Sequence, residues 1–383
     1  MGPVCAISDN IEGCRERLIA KTMAFPTAIA SIRQVFRTTI FAIHMTATAS
    51  HNNQTAETFY PGKKVVITGG LGMLGSNLAR ALVDLGARVT IVDAKLKPYG
   101  ANLFNIEGYE DRVTLIEADI RDRKAVDDFV AGQQLIFNFA GQISHNESIR
   151  DPLNDAQINY LGHLNVLESM VEYSPHARIV YSGSRLQYGK VFTTPVHESH
   201  PLNPETPYAF NKTVAESMYR YYNRIHGIDS VLFRITNPYG IRGQMKHSQY
   251  GIVNHFLRLA MLDQEITIFG DGKQIRDYIY VLDIIDAFIQ SGFSHEASGK
   301  VLNLGSGDGT SFSEMANLIV SVVGRGTVRH VPWPDHYINV ETGDFIADIS
   351  SARISLNWSP GTSLTDGLQQ SLEFYTAHRA RYF

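Results

Sequence analysis

From Lys63 onward, short apolar runs alternate with longer stretches whose apolar residues recur every three or four positions. The runs are Val65-Val66-Ile67, Arg88-Val89-Thr90-Ile91-Val92, Val113-Thr114-Leu115-Ile116-Glu117, Leu135-Ile136-Phe137-Asn138-Phe139 and Arg178 to Tyr181. The first, β-branched throughout, suits a strand buried on both faces of a parallel sheet. Amphipathic stretches run from Ser76 to Leu85, from near Arg123, from about Asp155 to Tyr173, and from Tyr208 onward. Strand and helix in alternation predict an α/β fold, a doubly wound parallel sheet with helices on both faces. Beyond Tyr239 the alternation thins and loop increases. Val301-Leu302-Asn303-Leu304 then reads as a strand, Phe312 to Val323 as a helix, and Leu364 to Tyr375 as a closing helix after the turn Asn357-Trp358-Ser359-Pro360.

The first run breaks at Thr68-Gly69-Gly70, so the glycines lie on a strand-to-helix turn. Gly70, Gly72 and Gly75 fit GxGxxG, whereas Gly69, Gly72 and Gly75 fit GxxGxxG. A backbone without Cβ approaches a pyrophosphate closely there, and the free N–H groups of a helix start bind it. Gly69, Gly72, Met73, Leu74 and Gly75 are therefore candidate cofactor contacts. The second run ends in Asp93, about 20 residues on, where a carboxylate takes the adenosine ribose hydroxyls and disfavours a 2′-phosphate; this order favours NAD over NADP. An ordinary glycine-rich turn needs no such order. The third run leads into Asp119-Ile120, a carboxylate and an apolar side chain that suit adenine. For Asp119 the alternative is the N-cap of the helix near Arg123. The fourth run leads into Ala140-Gly141, where small residues again allow close approach. His145 follows on a loop, with no second His or Cys at metal spacing, and no metal site is expected.

The chain has 383 residues, enough for one large core or two domains. Its net charge of −4 gives no reason to expect nucleic acid as a partner. Both cysteines, Cys5 and Cys14, lie in the first 60 residues, so the remainder has no thiol for a disulfide, a nucleophile or a zinc site. No apolar run approaches the ~20 residues of a membrane span. Residues 1–60 are rich in Ala, Thr, Ile and Ser, with basic and few acidic residues. They read as an extension without catalytic role: a tail, a transit peptide, or a segment upstream of a start at Met45. A cytoplasmic location is expected, with organelle targeting left open.

Near the middle, Pro207 precedes Tyr208-Ala209-Phe210-Asn211-Lys212, which opens a long helix. Spacing of four puts Tyr208 and Lys212 on one face. A phenol with a reference pKa of ~10 is a poor base at neutral pH, and an ammonium one turn away stabilises its phenolate. Ser184 follows the fifth run and can share the substrate oxygen and relay its proton. Tyr-x-x-x-Lys alone is common on solvated helix faces. Its place downstream of a nucleotide-binding turn, with a serine at a strand end between, gives it chemical meaning.

These residues resemble the extended short-chain dehydrogenase/reductases, in particular the NAD-dependent nucleotide-sugar epimerase/dehydratase group typified by UDP-glucose 4-epimerase. The resemblance covers Lys63 to about Tyr375 and rests on the glycine turn, Asp119-Ile120, Ser182-Gly183-Ser184, Tyr208-x-x-x-Lys212, Arg234-Ile235-Thr236-Asn237-Pro238-Tyr239-Gly240 and Gly270 to Val281. It implies a Rossmann-type NAD-binding part over mainly 61–238 and a smaller C-terminal substrate-binding part over mainly 239–383, whose late elements return to the first. By the same resemblance Ser184, Tyr208 and Lys212 are catalytic. Asn159 stands near the cofactor, Asn237 binds the substrate diphosphate, and Arg276 clamps it. An internal ion pair with Asp277 is the alternative for Arg276. Ile266 to Phe269 would lie beside the nucleotide base. The long helices at about 155–173 and 208–226 would pair across a two-fold axis in a homodimer.

In this group a 4-keto sugar, formed on retained NAD, can be reduced from its other face, lose water, or lose a carboxylate. The resembling dehydratases follow their Ser/Thr with Asp-Glu and the decarboxylases with Ser-Glu. Here Arg185-Leu186 follows, with no carboxylate through Gly189. Epimerisation of a nucleotide sugar, most often a UDP-hexose at C4, is the leading expectation. A 4,6-dehydratase, a ketoreductase and a non-catalytic dinucleotide sensor are the alternatives. Arg185 is unusual at its position and is a candidate substrate contact. Ile143 stands where many 4-epimerases have a cofactor-contacting lysine.

Overall fold

In the computed structural model, residues 54–96, 100–248, 251–334 and 341–383 are described. The expectations for residues 1–53, including Cys5, Cys14 and Met45, fall outside them. Strands β1 (Lys64–Thr68), β2 (Arg88–Asp93), β3 (Val113–Glu117), β4 (Leu135–Asn138), β5 (Arg178–Ser184) and β6 (Ser230–Ile235) form where the apolar runs predict them or next in the alternation. Four short strands follow: β7 (Asn237–Tyr239), β8 (Glu265–Phe269), β9 (Ile275–Arg276) and β10 (Tyr278–Tyr280). Then β11 (Val301–Leu304) joins the main sheet, and β12 (Thr310–Ser311) and β13 (Thr327–Val331) complete the set. The sheet order is β11-β6-β5-β4-β1-β2-β3, and every neighbouring pair is parallel. Between β1 and β4 the order reverses, which opens a crevice at the carboxyl ends of the strands.

The helices used below are α1 (Met73–Asp84), α2 (Arg123–Val130), α3 (His163–Tyr173), α4 (Pro207–His226), α5 (Ile252–Met261), α6 (Val281–Ser291), α7 (Phe312–Val323) and α8 (Leu364–Ala377). Alternate residues of one strand supply two cores. Val65 and Ile67 pack with Leu78 and Leu82 of α1 and Ile284 of α6. Val66, between them, packs with Phe129 of α2, Leu167 of α3 and Tyr219 of α4. All three β1 side chains are fully buried, each worth roughly 1.5–3 kcal/mol over exposure.

Three boundaries differ from the sequence pattern. Strand β5 continues past Tyr181 through Ser182-Gly183-Ser184, because β6 pairs with it up to Ser184↔Ile235. Ladder pairing overrides the weak strand preference of Ser and Gly. The helix expected from Asp155 starts at Pro152, with Asp151 capping it through the N–H of Asn154 at 3.0 Å. It passes through a π-helical turn, Gln157–Gly162, before α3. Residues 54–60, grouped by composition with the extension, pack onto the fold. Tyr60 is fully buried and its hydroxyl donates to the Ile289 carbonyl at 2.7 Å.

Candidate active site

A cavity of about 760 Å³ opens at the carboxyl ends of β1, β2, β4 and β5. On one side it is built from backbone. After β1, Gly69 takes a left-handed conformation with φ +64°, and a Cβ there would come within 3.0 Å of the Phe139 and Ala140 backbone. A Cβ on Gly75 would lie 2.4 Å from the Gly69 carbonyl oxygen. Gly70 turns instead against Ile91 of β2, so GxxGxxG is the spacing that lines the cavity. Gly72, Met73, Leu74 and Gly75 bring the start of α1 to the same wall, where first-turn N–H groups have no partner within the helix.

Asp93 closes β2 and also lines the cavity. Its carboxylate accepts the N–H groups of Leu71 at 3.0 Å and Lys95 at 2.8 Å. Burial raises its pKa above the ordinary carboxylate value, and those bonds work against the rise. Asp119 and Ile120 stand at the next strand end, in the cavity wall. The N-cap alternative for Asp119 does not hold, because Asp122 caps α2 by accepting from Lys124 and Ala125. Asp119 is instead held by the Arg121 fork, the shortest contact being 2.6 Å. Burial pushes its pKa up, but the Arg121 hydrogen bonds and charge leave it below the ordinary value. A glycine cradle, a free helix start and a carboxylate after β2 fit a dinucleotide.

Ala140 and Gly141 line the cavity beyond β4. The Thr68 hydroxyl fixes this loop by accepting from the Ala140 N–H at 3.1 Å while donating to Asn138 at 2.5 Å. Asn159 is fully buried behind the loop rather than in the cavity wall. It donates to the Gln142 carbonyl at 2.8 Å and to Asp155 at 2.9 Å. The π-helical turn puts it beneath Gly141, whose Cβ position would be 2.9 Å from the Asn159 amide oxygen. Ile143, partly exposed, lines the cavity beside this loop.

Ser184, Tyr208 and Lys212 meet in the cavity. Thr206 caps α4 through the Ala209 N–H and Pro207 occupies its first turn, so Tyr208 sits at the positive end of the helix. Burial pushes the phenol up to about 12, against a hydrogen bond with Ser184 that lowers it. Lys212 donates to the Ser182 carbonyl at 3.1 Å and lies over the Tyr181 ring. Burial pulls Lys212 down to about 8, and the Asp155 charge opposes that fall. The expected lowering of Tyr208 by Lys212 is not seen: burial dominates the phenol and the ammonium is turned to a carbonyl.

The opposite wall carries Arg185, Asn237 and Arg276. The Asn237 side chain donates to the Asp277 carbonyl at 2.9 Å. Arg276 does not pair with Asp277. It binds Glu341 closely and donates to the carbonyls of Ile275 and Gly343. The Asp277 carboxylate faces away, accepting from Ser306, Gly307 and Ala347. Arg185 donates to the Thr342 hydroxyl at 3.1 Å and lies over the Phe345 ring. Burial, then the nearby Arg276 charge, pull it down to about 9. His145 lines the cavity close by, and burial followed by the Arg185 charge lowers its pKa. Thr267, Ile268 and Phe269 of β8, with Trp333, form the far end. Among the described residues, no group of three or more His, Cys, Asp and Glu could hold a metal ion. Nor, among them, is any helix long and apolar enough to cross a membrane.

Sequence reasoning missed a buried chain of partners behind Ser184. Gln187 accepts from the Ser184 N–H at 2.8 Å and donates to Glu216 of α4 at 2.7 Å. Glu216 in turn pairs with Arg234 of β6 at 2.6 Å. Glu205 was also missed: it lines the cavity, and its Oε2 has no partner among the described residues. The signal available was a charged residue in each apolar segment, Glu216 and Arg234, since such charges stay buried only when paired.

A model of the NAD dependent epimerase/dehydratase family matches residues 65–305. The dTDP-glucose 4,6-dehydratase of Streptomyces niveus is 30% identical over 83% of this chain and 94% of its own length. The UDP-glucose 4-epimerase of Mycolicibacterium smegmatis is 29% identical over 82% and 98%. Among solved structures, the epimerase Mth375 of Methanothermobacter thermautotrophicus is 29% identical, covering 85% of this chain and 95% of its own, with a TM-score of 0.79.

Proposed function

The chain belongs to the NAD dependent epimerase/dehydratase family, and on that premise we propose that it is a nucleotide-sugar epimerase acting at C4 of a UDP-hexose. The observation that carries the reading is Ser184, Tyr208 and Lys212 facing one cavity with the glycine cradle, while Arg185 to Tyr188 after Ser184 bring no carboxylate. Gly69 to Gly75, Asp93 and Asp119 would hold NAD, which when bound would supply a reversible hydride acceptor for the C4 hydrogen. Tyr208, as phenolate, takes the proton of the C4 hydroxyl, and later returns it. Ser184 shares that oxygen and holds the developing carbonyl. Lys212 holds the Ser182 carbonyl beside Tyr208, and Ala140 and Gly141 would leave room for the nicotinamide ring. Asn237 and Arg276 hold the diphosphate while the 4-keto sugar turns its other face.

Glu205 favours a second reading. A carboxylate residue that lines the same cavity, with one oxygen buried and unpartnered among the described residues, is a candidate base for elimination across C5–C6, the 4,6-dehydratase reaction.

The protein is assayed with a UDP-hexose panel, no cofactor added, and products read by NMR, with Tyr208→Phe as control. A C4 epimer that disappears in the variant is the expected outcome. A 4-keto-6-deoxy product replaces this reading with the dehydratase. Oxidation of added NAD(P)H on a keto sugar replaces it with a reductase, and bound NAD without turnover with a sensor.

We further propose a homodimer. Phe210, Val214, Tyr221 and Ile225 are exposed along α4, and Leu153 is 75% exposed on the neighbouring short helix Pro152–Ala156. Such a stripe suits a buried two-fold contact. Light scattering should give a dimer mass for the native chain and a monomer mass for Leu153→Glu with Phe210→Glu; a native monomer refutes the contact.

A further inference from the structure

Arg185 is 8% exposed and lines the cavity, yet among the described residues it has no carboxylate partner. Its one hydrogen bond to a described residue goes to the neutral Thr342 hydroxyl. A guanidinium has five N–H donors in a planar fork, and burying it without a counter-charge is unfavourable. The nearby carboxylates are committed elsewhere: Glu341 to Arg276, and Asp277 to Ser306, Gly307 and Ala347. Arg276 already spends N–H groups on two carbonyls as well as on Glu341. Arg185 is therefore the less committed cation of this wall.

Its place in the fold says which part of a ligand it meets. Arg185 follows Ser184 by one residue at the end of β5, and Ser184 lines the cavity together with Tyr208. His145, close enough for the Arg185 charge to act on it, opens the short helix His145–Arg150 that follows β4 and the cavity-lining Ala140 and Gly141. The guanidinium thus stands at the reacting end. We propose that Arg185 is a specificity-determining residue that reads a carboxylate on the sugar, so that the preferred substrate is a nucleotide hexuronate rather than a neutral hexose. A planar fork matches a carboxylate with two parallel hydrogen bonds, whereas a hydroxyl offers no charge to balance it. This inference rests on the nucleotide-sugar reading and narrows it. The diphosphate is the other anion that such a ligand brings.

Binding separates these cases without turnover. UDP-glucuronate, UDP-glucose and UDP are titrated by calorimetry into the full-length, NAD-loaded Tyr208→Phe protein, with and without Arg185→Gln. Arg185→Lys is a second variant that keeps the charge and loses the fork. Bound NAD and melting temperature verify that each variant is folded. UDP-glucuronate should bind roughly 10- to 100-fold more tightly than UDP-glucose, the range for hydrogen bonds to a charged group. That ratio should fall toward one in Arg185→Gln and lie between in Arg185→Lys. Equal affinities in the parent protein overturn the inference. So does an equal weakening of all three ligands, UDP included, by Arg185→Gln, which would assign Arg185 to the diphosphate. Turnover is then read separately on the native protein. A preserved affinity ratio with no epimer of either sugar sinks the epimerase reading alone, and epimerised UDP-glucose with a ratio of one sinks this inference alone.

Discussion

The two walls of the cavity are made by different means. The side proposed for the cofactor is mostly backbone from one short stretch, Gly69 to Gly75, with Asp93 and Asp119 at the next strand ends. The side proposed for the substrate is mostly side chain, drawn from the end of β5, β7, β9 and Glu341-Thr342, positions as far apart as Arg185 and Thr342. A backbone wall accepts one shape of ligand and tolerates little change. A side-chain wall can be rewritten residue by residue while the chemistry stays in place, as expected where one fold serves several reactions.

The largest effect that would sharpen this contrast is on chemistry alone. Tyr208→Phe should lower kcat by about 10²–10⁴-fold while bound NAD, measured on the denatured protein, stays stoichiometric. Loss of NAD together with activity would show that the two walls are not separable there. Next comes the support behind Ser184. Glu216→Ala leaves the buried Arg234 uncompensated and should cost roughly 3–5 kcal/mol in denaturant unfolding. A change within error would mean that this ion pair is not what holds β5, β6 and α4 together. A smaller loss is expected in the cradle. Gly75→Ala puts a methyl against the Gly69 carbonyl oxygen and should cost about 1–3 kcal/mol of stability, with most of the retained NAD lost. Full NAD occupancy in that variant would break the claim that the cofactor wall is intolerant.

The smallest effect is in pH. Lys212, held down to about 8 by burial, loses its charge as pH rises through that value. The Ser182 carbonyl beside Tyr208 then loses its charged donor. Activity should decline on the alkaline side of about pH 8, and Lys212→Arg, if active, should move that limb upward. A pH–rate profile unchanged between the two proteins would assign the limb to another group.

The unequal legibility of the walls follows from the same construction. Strands, the glycine turn and Tyr208-x-x-x-Lys212 are local patterns, and periodicity and turn chemistry report them directly. The choice between Gly69 and Gly70 needed the position of Ile91 on the neighbouring strand. That Asp122 rather than Asp119 caps α2 depended on where the helix begins, which Asp-rich sequence around Arg121 leaves open. Partners across long separations were invisible: Arg276 with Glu341, Arg185 with Thr342, and Gln187 with Glu216. Resemblance alone places Asn159 near the cofactor, and no periodicity signals the π-helical turn that sets it behind Gly141.

The extension of β5 to Ser184, paired with Ile235, has a geometric meaning. Two residues beyond Ile235 stands Asn237, in β7, bonded to the backbone of Asp277 beside β10. On the proposed function, the Ser184 hydroxyl that meets the sugar and the Asn237 amide that meets the diphosphate are thus graduations on one ruler, spaced by strand register rather than by side-chain length. A slip of one residue between β5 and β6 would turn Ser184 to the other face of the sheet. On that reading substrate length is measured by the ladder itself, and the surrounding side chains are left free to decide only what the sugar carries.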